Sequence, residues 1–259
     1  MSAPNPTPTV GLLYPGFSAE DDFAAYERRA AGRIRLPLVH TTVQVDAHAV
    51  GPLLDLGADD RLTEGALELL PRQPDCLLWA CTSGSFVFGW EGAHQQVTRL
   101  SNRTGLPASS TSLAFVHAAQ HLGVGSVAVA ASYPAEVAEL FVAFLARAEI
   151  TVLELSSHGI FTAAEVGRLD RDKVTDLVCA ADRPDADAVL VPDTALHSLA
   201  WLDDLESAVG KPVLTANQVT IWEGLRLLGG AEHASAVGLP GLGTLFSGHP
   251  RRTSAPERR

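Results

Sequence analysis

The feature that most constrains this chain is a repeat within it. Asp75-Cys-Leu-Leu-Trp-Ala-Cys81-Thr82 resembles Asp187-Ala-Val-Leu-Val-Pro-Asp193-Thr194. In each copy an Asp opens an apolar run, and a Cys or an Asp followed by Thr comes six residues later. Two more landmarks recur in the same order. Gly105-Leu-Pro107 is matched by Gly210-Lys-Pro212, and Tyr14-Pro15 by Tyr133-Pro134. The offsets are 105 to 119 residues, so the repeat describes two copies of a domain and not a solenoid of short units.

Each copy alternates short apolar runs with amphipathic stretches. Val10–Tyr14, Ile34–Val39, Cys76–Ala80, Val127–Ala131, Val152–Leu155 and Ala188–Val191 read as buried parallel strands. Asp60–Leu70 and Ala135–Ala148 read as helices with one apolar face. Strand–helix alternation predicts an α/β protein of two pseudo-symmetric lobes. Each lobe is a doubly wound parallel sheet with flanking helices, and the active site lies in the cleft between them. The expected lobes are 10–113 and 114–216, with a C-terminal helix at 217–230 packing back on the N-terminal lobe. Residues 1–9 and 248–259, rich in Pro, Ser, Thr or charge, read as loose tails.

In open parallel sheets, ligands bind beyond the carboxyl ends of the strands. Cys81 and Asp193 stand at that end of equivalent strands, each where a helix is expected to begin, and a pseudo-twofold would bring them to opposite sides of one cleft. The Cys81-Thr-Ser-Gly-Ser85 turn suits a helix start, whose free N–H groups would bind a carboxylate and lower the thiol pKa. Cys81 and Asp193 are therefore the catalytic candidates. Thr82 and Ser83 in that turn, with Thr194 and Tyr14 at the matching strand ends, are candidates for substrate contact.

The other motifs carry less. Cys76 and Cys179 lie in apolar runs and read as core residues, and the three cysteines fit no zinc spacing. Gly123-Val-Gly125 precedes a strand instead of following one, so it reads as a turn, as does Gly238-Leu-Pro-Gly241. His117 and His121 read as packing or surface residues. His197 reads as a solvated helix residue within reach of the cleft, and Phe86, Phe88 and Trp90 as core or as a pocket wall. A net charge of −11 argues against nucleic acid and anionic membranes as partners. No apolar run approaches the ~20 residues of a membrane span, and the N-terminus lacks a signal-peptide pattern, so a cytoplasmic protein is expected.

Gly11-Leu-Leu-Tyr-Pro15, Cys81-Thr-Ser-Gly-Ser85, Ser110-Thr-Ser112, Val129-Ala-Ala-Ser-Tyr133 and Gly210-Lys-Pro-Val-Leu-Thr-Ala-Asn-Gln218 carry a resemblance. Over about residues 10–230 the chain resembles the aspartate/glutamate racemase superfamily, in its maleate isomerase and arylmalonate decarboxylase branch. The resemblance implies an enzyme with no metal and no organic cofactor, acting on a small carboxylate or dicarboxylate, and homo-oligomeric assembly. It matches Cys81 to the first-lobe cysteine, and Thr82, Ser83 and Tyr133 to residues that hold the substrate carboxylate. Asp193 stands where a second cysteine is found, and two expected asparagines align near Ser18 and Ala163. The reading leans narrowly to a maleate isomerase-like cis–trans isomerase with Cys81 as nucleophile. Decarboxylation with a single protonating thiol, racemisation between Cys81 and Asp193, and non-catalytic carboxylate binding stand as alternatives.

Overall fold

The computed structural model describes residues 7–247. Its first half runs β1 (Val10–Pro15), α1 (Asp21–Arg29), β2 (Leu38–Thr41), α2 (Val50–Leu56), α3 (Asp59–Leu69), β3 (Cys76–Trp79), α4 (Ser83–Phe86), α5 (Gly89–Thr104), β4 (Ala108–Ser110) and α6 (Thr111–Leu122). The second half runs β5 (Ser126–Ala131), α7 (Ala135–Ala146), β6 (Thr151–Ser157), α8 (Ala163–Val166), α9 (Arg171–Ala181), β7 (Ala188–Val191), α10 (Leu202–Val209), β8 (Val213–Thr215) and α11 (Ala216–Gly229), followed by α12 (Ala231–Ala236) and α13 (Gly243–Phe246). Two four-stranded sheets result, ordered β2-β1-β3-β4 and β6-β5-β7-β8, and every pairing is parallel.

The central strands β1, β3, β5 and β7 are covered on both faces, which is why they read as unbroken apolar runs. The repeated landmarks have repeated jobs. Asp75 accepts the Thr9 N–H at 2.7 Å and ties down the start of β1. Asp187 accepts the Gly125 and Ser126 N–H groups at 3.1 and 2.9 Å and ties down the start of β5. Gly105 and Gly210 end α5 and α10 in the left-handed region, at φ 72° and 68°, a conformation costly for any residue with a Cβ. The prolines that follow then lead into β4 and β8.

Sequence and structure differ at several places. The second strand is Leu38–Thr41, not Ile34–Val39, because Pro37 offers no N–H and only an isolated bridge, Thr9 to Arg35, forms before it. That bridge also fixes Thr9, inside the segment expected to be a loose tail; residues 1–6 and 248–259 lie outside the described residues. Strand β6 is an edge strand and is only partly buried. Cys179 is exposed, since α9 turns Val174, Val178 and Ala181 inward and leaves it outward.

The lobes share a core. One apolar cluster runs from β1 and β3 through α4 and α6 to β5 and α7, while a second lies between β5, β7, α9 and α10. Helix α11 packs on α6, β3 and β4, and a Cβ on its Gly224 would stand 2.4 Å from Val10 of β1. A capping box between Thr215 and Gln218 starts this helix. Its buried Glu223 accepts from Arg226 at 2.6 and 2.8 Å and pairs with His117 of α6 at 3.0 Å. Burial alone would push the Glu223 carboxyl up, but these partners bring it below its ordinary value. On the other side, the buried Asp22 of α1 accepts N–H groups of Ser198 and Leu199 and the Asn217 amide, at 2.9 to 3.1 Å. That is a second polar tie between the lobes.

Candidate active site

The two central strands of each sheet end at the same place. Cys81 lies two residues past β3 and Asp193 two residues past β7, and both line one cavity of about 620 Å³. Tyr14, Ser18, Ser83 and Thr194 line it as well.

The Cys81 turn is held from behind. The Ser112 hydroxyl donates to the Thr82 carbonyl at 2.7 Å, and the Ser85 hydroxyl donates to Ser110 at 2.8 Å. The Trp79 indole and the Gln96 amide both donate to the Gly84 carbonyl. The Gly84 N–H in turn donates to Cys81 Sγ at 3.2 Å, with the Ser83 hydroxyl 3.9 Å away. The expected lowering of the thiol pKa does not occur. Burial dominates and pushes Cys81 up to about 12; the Gly84 and Ser83 contacts offset only part of this, and the Asp193 charge adds to it. Helix α4 has only four residues, so its dipole is small against the desolvation of a thiol 4% exposed. In the substrate-free protein Cys81 is a neutral S–H group.

Beside it, Thr82 Oγ1 is buried and has no hydrogen-bond partner of good geometry. It and the Ser83 hydroxyl stand near the Tyr133 phenol, which burial holds well above its ordinary pKa and keeps as an O–H donor. That phenol donates to the Pro192 carbonyl. Three hydroxyls thus stand close to the thiol; Ser83 lines the cavity, Thr82 and Tyr133 are not among the lining residues, and Thr82 Oγ1 is left unsatisfied.

On the other lobe Asp193 accepts from the Ser132 hydroxyl and from the Ala195 N–H at 2.9 Å. No helix begins here; residues 194–201 form turns and α10 starts only at Leu202. His197 is consequently not a cleft residue, and its Nε2 lies 2.7 Å from Asp21 at the surface. Tyr14 and Ser18 bond to each other at 2.7 Å, and the Tyr14 hydroxyl also donates to the Thr194 carbonyl at 3.0 Å, so this group joins the lobes at the cavity edge.

The apolar wall comes from residues that sequence patterns did not single out. Phe86 and Trp90 pack into the inter-lobe core against Phe141 and Phe144. The cavity is walled instead by Val43, Val45, Leu53 and Leu56, from α2 and the segment 42–49 before it. This segment straps across to the other lobe. Asp46 accepts the Ala163 and Ala164 N–H groups at 2.8 and 3.2 Å, and the His48 N–H donates to the Phe161 carbonyl at 2.7 Å. The His48 ring is buried, edge-on to Tyr133, with Nε2 4.0 Å from Asp193 Oδ2. The sequence carries no pattern that marks this segment for the role. Among the described residues no three His, Cys, Asp or Glu side chains converge to form a metal site, and no helix is long and apolar enough to cross a membrane.

The two joined sheets and the cavity at their strand ends are those of the aspartate/glutamate racemase-like superfamily. The profile of the arylmalonate decarboxylase family matches residues 57–240, and the chain belongs to that family. It is 32% identical to arylmalonate decarboxylase of Bordetella bronchiseptica over 167 residues, covering 64% of this chain and 68% of that one. It is 26% identical to maleate isomerase of Geobacillus stearothermophilus over 197 residues, 73% of this chain and 76% of that one. A doubly substituted arylmalonate decarboxylase solved in liganded form superposes with a TM-score of 0.79 at 26% identity, over 94% of this chain and all of that one. The Nocardia farcinica maleate cis–trans isomerase superposes with a TM-score of 0.81 at 22% identity, over 92% and 97% of the two chains, which shows the shared fold. These relatives are enzymes, decarboxylases or isomerases, and the chain is of that enzyme kind.

Proposed function

We propose that this protein decarboxylates a substituted malonate, with Cys81 as the single proton donor. The observation that carries the reading is a buried thiol in a cavity that also holds the Ser83 hydroxyl and an apolar wall, with the Thr82 and Tyr133 hydroxyls close by. One substrate carboxylate is held by Thr82 and Ser83, and by Tyr133 once its O–H turns from the Pro192 carbonyl. The other lies against Val43, Val45, Leu53 and Leu56, where it loses hydration. That carboxylate leaves as CO₂, and the bonding pair of the broken C–C bond passes into the retained carboxylate as an enediolate. The enediolate pair then takes the Cys81 S–H proton at the α-carbon, and the resulting thiolate regains a proton from solvent. The hydroxyls bind the enediolate oxygens more tightly than the carboxylate because those oxygens carry more charge.

Cis–trans isomerisation, the reaction the sequence leaned towards, needs a thiolate that adds to a C=C bond. One observation favours it: the Gly84 N–H and the Ser83 hydroxyl would both stabilise a Cys81 thiolate. A neutral S–H in a buried site suits protonation better than addition, and the more similar of the two curated relatives reported above is a decarboxylase. The assay is direct. Phenylmalonate and 2-methyl-2-phenylmalonate are incubated with pure protein in D₂O; CO₂ release with one deuteron at the α-carbon of the product is expected. Conversion of maleate to fumarate with a covalent adduct on Cys81, and no CO₂ from either malonate, would replace this reading with isomerisation.

A further inference from the structure

The cavity holds an acid where the chemistry would resist one. A malonate dianion that enters beside Cys81 meets Asp193, which is 5% exposed and lies at the mouth of the other sheet. Among the described residues no Lys or Arg lines the cavity. Of its other ionisable residues, Asp46 is engaged with the N–H groups of α8, and His40 stands at the rim, 3.9 Å from Glu20 and stacked on the exposed Phe17. The remaining basic group is His48, and its surroundings are built. Its Nδ1 lies 2.9 Å from the Ile160 carbonyl, which can only accept, so Nδ1 carries a proton. Its Nε2 then faces the Asp193 carboxylate at 4.0 Å, with both side chains buried. The ring is held by its own Nδ1 bond to Ile160 and by its edge-on contact with Tyr133.

We infer that His48 is a positioning residue that balances the charge of Asp193 across the lobe interface and so admits a dicarboxylate to the Cys81 cavity. A proton on Nε2 as well as Nδ1 would make the His48–Asp193 pair neutral as a unit and leave no net negative charge on that side of the cavity. The Asp193 carboxylate is itself held in place by Ser132 and Ala195. This rests on the proposal that the cavity takes a dianion, but not on what happens to it there.

The test is a double-mutant cycle read by calorimetry, in a Cys81→Ser background so that turnover does not intrude. His48→Gln, Asp193→Asn and the combined variant are titrated with phenylmalonate, a dianion, and phenylacetate, a monoanion, and their melting temperatures are recorded. His48→Gln should weaken phenylmalonate roughly tenfold or more, as expected of an uncompensated charge in a partly buried site, and weaken phenylacetate much less. Adding Asp193→Asn should bring phenylmalonate affinity back to within about threefold of the parent, because the charge to be balanced is gone. Equal weakening of both ligands with no recovery in the combined variant would make His48 merely structural and overturn the inference, as would no effect at all. Failure of the parent to bind phenylmalonate would overturn both the charge balance and the malonate reading. Binding without CO₂ release by the protein carrying Cys81 would sink decarboxylation alone.

Discussion

A single methyl group at Gly84 tests how tightly the thiol is held. Gly84 sits in α4 with ordinary helical geometry, so Gly84→Ala brings no backbone strain and should gain about 0.5–1 kcal/mol from a less flexible unfolded chain. Its new Cβ, however, would lie 2.6 Å from Leu56 Cδ1, 3.0 Å from Trp79 Cζ2 and 3.1 Å from Cys81 Sγ. The Leu56 methyl can rotate away. Trp79 is fully buried and its indole N–H is bonded to the Gly84 carbonyl, so the ring and the sulfur must shift instead. Overpacking of this kind costs about 1–3 kcal/mol, so a net loss of up to about 2.5 kcal/mol is expected. A thiol displaced by several tenths of an ångström should cost roughly 10- to 100-fold in kcat. Gly51→Ala is the control: no atom lies within 4 Å of its Cβ position, and the variant should be equally or more stable by up to about 1 kcal/mol. Urea unfolding and CO₂ release measure both effects. A Gly84→Ala protein as stable and as active as the parent would refute the packed-thiol account.

The cysteines should separate by exposure: iodoacetamide should label Cys179 first in the native protein, with Cys76 and Cys81 slow because burial raises both thiols. Cys179→Ser should keep full activity, whereas Cys81→Ala should lose about 10²- to 10⁴-fold in kcat. Tyr133→Phe and Thr82→Ala should each lower kcat by about 10²-fold with a smaller change in KM, since the enediolate oxygens gain more from these donors than the bound carboxylate does; an effect on KM alone would refute that role. Glu223, with its folded pKa below the ordinary value near 4.5, binds fewer protons folded than unfolded. Its contribution to stability is therefore present above that value and lost as the pH falls through it to the folded value. Chemical unfolding between pH 6 and 3 should show a shallower decline in Glu223→Gln than in the parent.

The fold was legible where burial on both faces wrote it into composition. Val10–Pro15, Cys76–Trp79 and Ala188–Val191 are apolar throughout because helices cover both sides of their sheets. The recurring Asp75 and Asp187, and Gly105 and Gly210, marked equivalent positions because the same N–H groups and the same left-handed turns must be satisfied in each copy. Strands β4 and β8, three residues each, are too short to show a period, and β2 was misplaced across Pro37. Cys81 and Asp193 were found from their place at strand ends, but the charge state of Cys81 was not, because desolvation depends on what the other lobe packs against it. His48 was invisible for the same reason. Nothing in Thr42–Ala49 announces a strap; its form comes from the Phe161 carbonyl and the α8 N–H groups, more than a hundred residues away in sequence.

Helix α11 lies at the far end of the chain yet covers β3 and β4 of the first lobe. During synthesis the first lobe emerges complete in strands but with one face of its sheet uncovered. Its Val10 and Cys76 contacts with Gly224 wait until the second lobe has been made. Proteins of separable domains usually finish the N-terminal one first. Here the first lobe cannot finish alone, and the nascent chain carries an apolar sheet face until α11 has been made. A stop codon or frameshift between residues 111 and 215 would therefore release a chain with that face bare, prone to aggregation or degradation.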